Sequence, residues 1–318
     1  MNNKIFAGLA IFLSILLVGI FFVFTLDTYY KSINSKKVTI EEVLENDSLK
    51  IHFGIGNEQN PEDLNLTHKT ITFNSFDNTP LEAWYIPASK PASNCIIISH
   101  DINSNRLEGL KYLKAFNKSG ILNNYHILMP DLRNAGVSGG GTTLMGYKTA
   151  EDIVTCMTLM KENFNIDSFV LFGIGQGAIA SAIAVKRADL QKHLNNLDLK
   201  VSAIIMDSPW SNVSKVIHQK HESIAGPIAN AVSYYFNNNV DGYLDYMRLG
   251  FLLKKTDYET LILQNIGDEV TTTPMLLEEL REIPSVQLEL FDGDEHAKII
   301  LHPGYKQRYL SAIKNLLQ

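Results

Sequence analysis

The stretch from Ser168 to Arg187 constrains this chain more than any other. The apolar run Phe169-Val170-Leu171-Phe172 leads into Gly173-Ile174-Gly175-Gln176-Gly177, and an Ala-rich run follows from Ala178 to Val185. A short apolar run bounded by glycine reads as a buried strand, and the Ala-rich run reads as a helix over Gly177–Arg187. Three glycines in five residues demand a tight turn with strand and helix backbones in close approach. The apex of that turn, Gly175, carries no side chain.

The rest of the chain repeats this alternation. Asn94–Ser99, His126–Met129, Val201–Met206, Thr260–Leu263 and Val286–Phe291 read as strands, several of them apolar almost throughout. Leu107–Phe116, Ala150–Glu162 and Tyr305–Leu317 have helical spacing. Continuous apolar strands separated by helices predict an α/β fold with a mostly parallel, doubly wound sheet. Thr70–Asn74 and Leu81–Ile86, joined through Asp77-Asn78-Thr79-Pro80, predict an antiparallel hairpin at its edge. Residues 211–253 break the rhythm with Pro227, Tyr234-Tyr235-Phe236 and Asn237-Asn238-Asn239, and they read as a helical cap insertion.

At 318 residues and 45% hydrophobic composition, the chain can bury a large core. Its net charge of −6, with basic residues scattered, argues against a nucleic-acid partner. Two cysteines, Cys95 and Cys156, are too few for a disulfide framework and are expected to be buried thiols. His218 and His221 lie three apart with Glu222 adjacent, but no third ligand stands at metal spacing, so no metal and no cofactor are expected.

The N-terminus differs in kind. Ile5–Leu26 is uncharged and long enough to cross a bilayer as a helix, without the small-residue cleavage site of a secretory signal. Residues 1–31 are therefore expected to be a single-pass membrane anchor, with Tyr29 and Tyr30 at the headgroup level. Lys4 on one side and Lys31, Lys36 and Lys37 on the other leave the orientation undecided by charge. Residues 32–68 read as a juxtamembrane linker with one short helical pattern at Ile40–Leu44, and residues 69–318 as the globular domain.

Five short motifs in this order resemble the α/β-hydrolase superfamily, over roughly Thr70–Leu317. The similarity is greatest to membrane-anchored bacterial serine hydrolases of the S33-peptidase-like, cell-surface kind. His100-Asp101-Ile102-Asn103-Ser104-Asn105-Arg106 resembles the loop H-G-x-x-G-x-R, with Asp101 and Ser104 in place of its glycines. Asp131-Leu132-Arg133-Asn134-Ala135-Gly136-Val137-Ser138-Gly139 resembles D-x-R-x-x-G-x-S-G, a structural loop. Gly173–Gly177 resembles the nucleophile elbow G-x-S-x-G, with Gly175 where the serine stands. Asp268 falls on the triad aspartate, although Gln264-Asn265 replaces the His-Gly of that motif. His296, in Gly293-Asp294-Glu295-His296-Ala297, falls on the triad histidine. A glycine-rich loop can also bind a dinucleotide, but that fingerprint belongs on the first strand of its unit, and this loop follows a late one.

The resemblance implies oxyanion-hole donors at the backbone N–H groups of Ile102 and Gln176. It also implies a small acyl, ester or peptide ligand and a domain outside the cytoplasm. A carboxylate at Asp101 opposes the charge such a hole stabilises, unless it points away into solvent. With glycine at 175, His296 has no hydroxyl to deprotonate. The expectation is a membrane-anchored protein of serine-hydrolase lineage with impaired or lost catalysis, a pseudoenzyme. The alternative is an active esterase, amidase or peptidase in which His296 and Asp268 activate water or an unconventional nucleophile. Ser99, Ser104, Ser138 and Ser208 lie near strand ends on the same rim, and none sits on an elbow.

Overall fold

Strands that are apolar at nearly every position must be covered on both faces, and this requirement organises the molecule. The computed structural model describes residues 3–33, 35–220 and 226–318. The elements run α1 (Asn3–Ile33), α2 (Ile40–Glu45), α3 (Asp47–Phe53), β1 (Lys69–Asn74), β2 (Pro80–Ile86), β3 (Asn94–Ser99), α4 (Leu110–Ser119), β4 (His126–Asp131), α5 (Thr149–Phe164) and β5 (Ser168–Ile174). They continue with α6 (Gln176–Lys186), α7 (Ala188–Asn196), β6 (Lys200–Asp207), α8 (Val213–Lys220), α9 (Gly226–Asn239), α10 (Leu249–Leu252), β7 (Glu259–Asn265), α11 (Thr273–Leu280), β8 (Val286–Phe291) and α12 (Lys306–Leu316).

The strands form one eight-stranded sheet in the order β1-β2-β4-β3-β5-β6-β7-β8. The β1–β2 and β2–β4 pairs are antiparallel, and all later pairs are parallel. This is the doubly wound architecture expected, with the hairpin at the edge. One core packs residues of α5, α6, α7 and the cap against one face, and the other packs residues of α2, α3, α4 and α12 against the opposite face. Both cysteines are buried thiols within it.

Register brings the strand ends to one rim. Ser99 lies opposite Gly173, Ile174 opposite Asp207, and Asn265 opposite Phe291. The loops after β3, β4, β5, β6, β7 and β8 therefore gather at one edge of the sheet. Helix α6 starts at that edge and is buried from Gln176 to Val185, which accounts for its small apolar residues on every face. A Cβ at Gly173 would stand 2.3 Å from the Ala178 Cα, and one at Gly177 would stand 2.3 Å from the Ser99 carbonyl oxygen. The two outer glycines of the turn are thus fixed by contact.

Three details differ from expectation. The segment 32–68 packs onto the domain instead of linking loosely to it. Thr39 and Glu42 form a reciprocal cap on α2, and Val43 and Phe53 are fully buried. The helix expected at Leu107–Phe116 is a 3-10 turn, Arg106–Gly109, followed by α4. Within the cap insertion, α8, α9 and α10 are helical, and residues 221–225, including His221 and Glu222, lie outside the described residues.

The loop after β4 is a structural clip. Arg133 meets the buried Asp152 carboxylate at 2.7 Å, Asp77 at 2.8 Å and Ser75 Oγ at 3.2 Å, tying the loop to α5 and the β1–β2 turn. Asp131 accepts the Arg106 and Val137 N–H groups, and Ser138 donates to the Asp131 carbonyl at 2.6 Å. Removing the cation leaves Asp152 buried and unpaired. Arg133→Leu is expected to lower unfolding free energy by about 3–5 kcal/mol, measured by urea denaturation.

Candidate active site

The elbow keeps a backbone conformation that would strain a residue with a side chain. Gly175 sits at φ 51° and ψ −111°, between the end of β5 and the first turn of α6. Its N–H donates to the Asp207 carbonyl at 3.0 Å, and its own carbonyl accepts the Trp210 N–H at 3.3 Å. A non-glycine residue is strained at this φ. Glycine removes the strain and leaves the turn in place.

The space above the apex is filled by Asp101. A Cβ on Gly175 would stand 2.1 Å from Asp101 Oδ1 and 2.2 Å from its Cγ, well inside van der Waals contact. Oδ1 accepts the Gln176 N–H at 2.6 Å, and Oδ2 lies 3.1 Å from His296 Nε2. The Asp101 side chain, only 12% exposed, points inward and not into solvent. Gln176 N–H, expected to serve a substrate oxyanion, serves this carboxylate. Among the described residues, the Ile102 N–H makes no bond to it, and the Ile102 side chain packs on the core.

The loop that carries Asp101 is rigidly held. His100 Nδ1 lies 2.7 Å from the Asp101 carbonyl, and Leu132 N–H donates to His100 Nε2 at 3.0 Å. Glu108 accepts the Asp101 N–H and the Ser104 hydroxyl, and pairs with Lys111 at 3.1 Å. Burial would raise the Glu108 carboxyl, but Lys111 and these donors hold it down at about 2.

On the far side, His296 Nδ1 lies 2.8 Å from Asp268 Oδ2. Asp268 also accepts the Val270 and Thr271 N–H groups and the Thr271 hydroxyl. His296 is thus gripped by a carboxylate at each nitrogen. Burial disfavours its charged form, but hydrogen bonds donated to the Asp101 and Asp268 carboxylates outweigh that and push it up to about 10. Burial also works against the charged form of Asp268, and His296 with the Thr271 donors nevertheless keeps its carboxyl below the usual range. The upward shift favours the imidazolium, in which both N–H groups are engaged and no lone pair is left to act as a base.

The four rim serines are placed elsewhere. Ser104 donates to Glu108, Ser138 to the Asp131 carbonyl, and Ser208 to Asp207, while Ser99 Oγ is buried without a hydrogen-bond partner among the described residues. Ser208 nonetheless positions the histidine loop, because its Oγ accepts the Ala297 N–H at 3.0 Å. It is held at φ +51° by the fully buried Asp207, which also accepts Tyr112 Oη at 2.8 Å and Tyr309 Oη at 2.7 Å. Asn265, standing in for the expected glycine, donates to the Glu295 carbonyl at 2.6 Å and ties the two loops together. Sequence reading missed these supports: their partners are distant in sequence, and an isolated Tyr or Asn carries no motif.

The cavity beside Asp101 is about 10 Å³, lined by Ser35, His100, Ile102, Asn134 and Gln176 among others. That is room for roughly one water, whereas small-molecule pockets run to about 300–1,000 Å³. The segment that follows α1 contributes to the closure. Asn134 Nδ2 donates to the Ser35 carbonyl at 2.8 Å, and Lys36 N–H donates to Asn103 Oδ1 at 2.9 Å. Among the described residues, no group of three His, Cys, Asp or Glu side chains is placed to hold a metal ion.

This geometry agrees with known folds. The esterase Pf2001 of Pyrococcus furiosus superposes with a TM-score of 0.61 at 18% identity, covering 83% of this chain and 94% of that one. The α/β hydrolase GrgF of a Penicillium species gives 0.55 at 17% identity, over 79% and 99% of the two chains. The esterase EaEST of Exiguobacterium antarcticum gives 0.52 at 14%, over 79% and 100%. The chain therefore has the α/β-hydrolase fold. No protein-family profile matches it. An uncharacterised protein of Bacillus subtilis, YqkD, is 29% identical over 124 residues, a stretch covering 35% of this chain and 39% of that protein.

The raised His296 value has a defined sign. The imidazolium contributes stability fully below its unfolded value near 6.5, and that contribution is lost as pH rises towards about 10. In NMR of the full chain, the His296 ring is expected to stay protonated through neutral pH. Asp101→Asn removes one anion and is expected to move its titration back towards 6.5; an unchanged titration would show that Asp101 does not hold the proton.

Proposed function

We propose that this chain is a membrane-anchored protein of serine-hydrolase lineage whose catalytic centre is closed by its own Asp101. The observation that carries this reading is the position of the Asp101 carboxylate. It bonds at once to the elbow N–H of Gln176 and to His296, the two groups that acyl transfer needs free. One oxygen sits where an oxyanion would sit, and the other sits where the base would meet a nucleophile. Asp268, His296 and Gly175 keep the triad positions, so the lineage is legible while the chemistry is blocked.

Anchoring is supported by α1, in which Ile5–Lys31 contains an 18-residue window with a mean hydropathy of 2.9. On this reading, which the resemblance to cell-surface hydrolases of the S33-peptidase-like kind supports, the domain lies outside the cytoplasm. An acyl, ester or peptide ligand in this site has to displace Asp101 first. The second reading, an active hydrolase using water, is favoured by one fact, the intact His296–Asp268 pair.

Serine at 175 alone is not expected to restore activity, because its Cβ collides with Asp101. Turnover of acyl esters should therefore be absent in the wild type and in Gly175→Ser. It should appear in Asp101→Gly/Gly175→Ser and vanish again when His296→Ala is added. Freeing the Gln176 N–H is expected to supply roughly 10²–10³-fold of the double variant's rate, the range one oxyanion donor commands. Wild-type turnover that depends on His296 would overturn the reading in favour of water as nucleophile.

A further inference from the structure

The cap helix α9 lies against α1, and the position of that contact along α1 is informative. The buried residues of α1 are Thr25, Thr28, Tyr29 and Ile33, and Tyr29 meets Tyr235 of α9 at 6.1 Å between ring centroids. Residues 5–24, by contrast, are almost wholly exposed. Twenty helical residues rise about 30 Å, which matches the hydrocarbon thickness of a bilayer. If residues 5–24 fill the hydrocarbon, residues 25–31 stand in the headgroup layer. A helix packed beside them stands in that layer too.

The composition of α9 suits such a place. Gly226–Asn239 contains no charged residue, and it offers Ile228, Tyr234 and Tyr235 with Asn and Ser between them. Tyr234 is 65% exposed and Tyr30 of α1 is 56% exposed. With Tyr29 and Tyr235 they form a group of four tyrosines across the two helices, the residue type that concentrates where membrane meets water. Asp27 and Lys31, paired at 2.6 Å on the exposed side of α1, fall at the same depth.

The anchor also has little slack. Ser35, Lys36, Lys37 and Val38 are bonded to Asn134, Asn103, Ser138 and Gly136 of the rim loops. The rim is therefore held within a few residues of the end of α1. We propose that α9 is an interfacial helix that docks on a phospholipid bilayer beside α1, with Tyr234 against lipid, so that the rim carrying Asp101 and His296 faces the membrane surface. This rests on the reading of α1 as a membrane anchor, and it adds the orientation of the domain on the membrane.

The test uses the full chain in phosphatidylcholine vesicles, with brominated lipids as short-range quenchers of tryptophan. The native Trp84 and Trp210 are buried in the domain and give a low constant background. Tyr234→Trp reports on α9, Phe12→Trp on the centre of α1, and Lys200→Trp on the opposite end of the sheet. Tyr234→Trp is expected to lose more emission with bromines near the headgroup than with bromines near the chain end, Phe12→Trp the reverse, and Lys200→Trp none with either. Quenching of Phe12→Trp without quenching of Tyr234→Trp would overturn the docking and leave the anchor standing. Equal quenching of Lys200→Trp and Tyr234→Trp would likewise overturn it. If Phe12→Trp is unquenched, the anchor reading itself fails and this inference falls with it.

Discussion

The rim of this protein depends on one carboxylate shared between a helix N-terminus and a cation. Asp101 would be costly to bury alone. It is tolerated because the Gln176 N–H at the start of α6 supplies a fixed partial positive charge and the His296 imidazolium supplies a full one. The same pairing favours the charged form of His296 beside Asp268, which in turn favours the carboxylate of Asp268. Two carboxylates on one cation leave a net negative charge, and the α6 terminus and the Thr271 donors offset it. In a working triad the base is hydrogen-bonded to its nucleophile, whereas here His296 Nε2 and the Gln176 N–H are both bonded to Asp101.

The surrounding scaffold is arranged to keep that bridge in register. Ser208 and Asn265 fix the loop of His296 from two sides, and Asp207 with Tyr112 and Tyr309 anchors Ser208 beneath it. His100 and Glu108 fix the loop of Asp101. Arg133 and Asp131 set the neighbouring loop, whose Asn134 receives the chain arriving from α1. Buried polar networks of this kind are rigid when fully satisfied, and the small cavity beside Asp101 is what remains between them.

Much of this was legible before any coordinates. The apolar strands and the glycines at 173 and 177 predicted the doubly wound sheet and the turn, because both follow from burial and contact that composition encodes directly. His296 and Asp268 were placed by motif and are 2.8 Å apart. Asp101 was identified as a misfit, but its direction was open. A carboxylate in a loop can face water or protein, and only the empty space over Gly175 decides between them. The segment 32–68 read as a linker because its apolar residues are sparse, yet Val43 and Phe53 suffice to seat it. Tyr112 and Tyr309 lie nearly two hundred residues apart, and nothing in either local sequence points to the acid they share.

The contact between Gly175 and Asp101 also orders events in time. A serine at 175 and an inward carboxylate at 101 cannot coexist without displacement, since the Cβ of one falls 2.1 Å from an oxygen of the other. Descent from a catalytic ancestor would therefore run through loss of the serine before the aspartate could settle inward. Once it had, restoring the serine by a single substitution would meet a steric barrier, and losing the aspartate alone would restore no nucleophile. The packing of one glycine against one side chain couples positions 101 and 175, so that a side chain at 175 requires Asp101 to move.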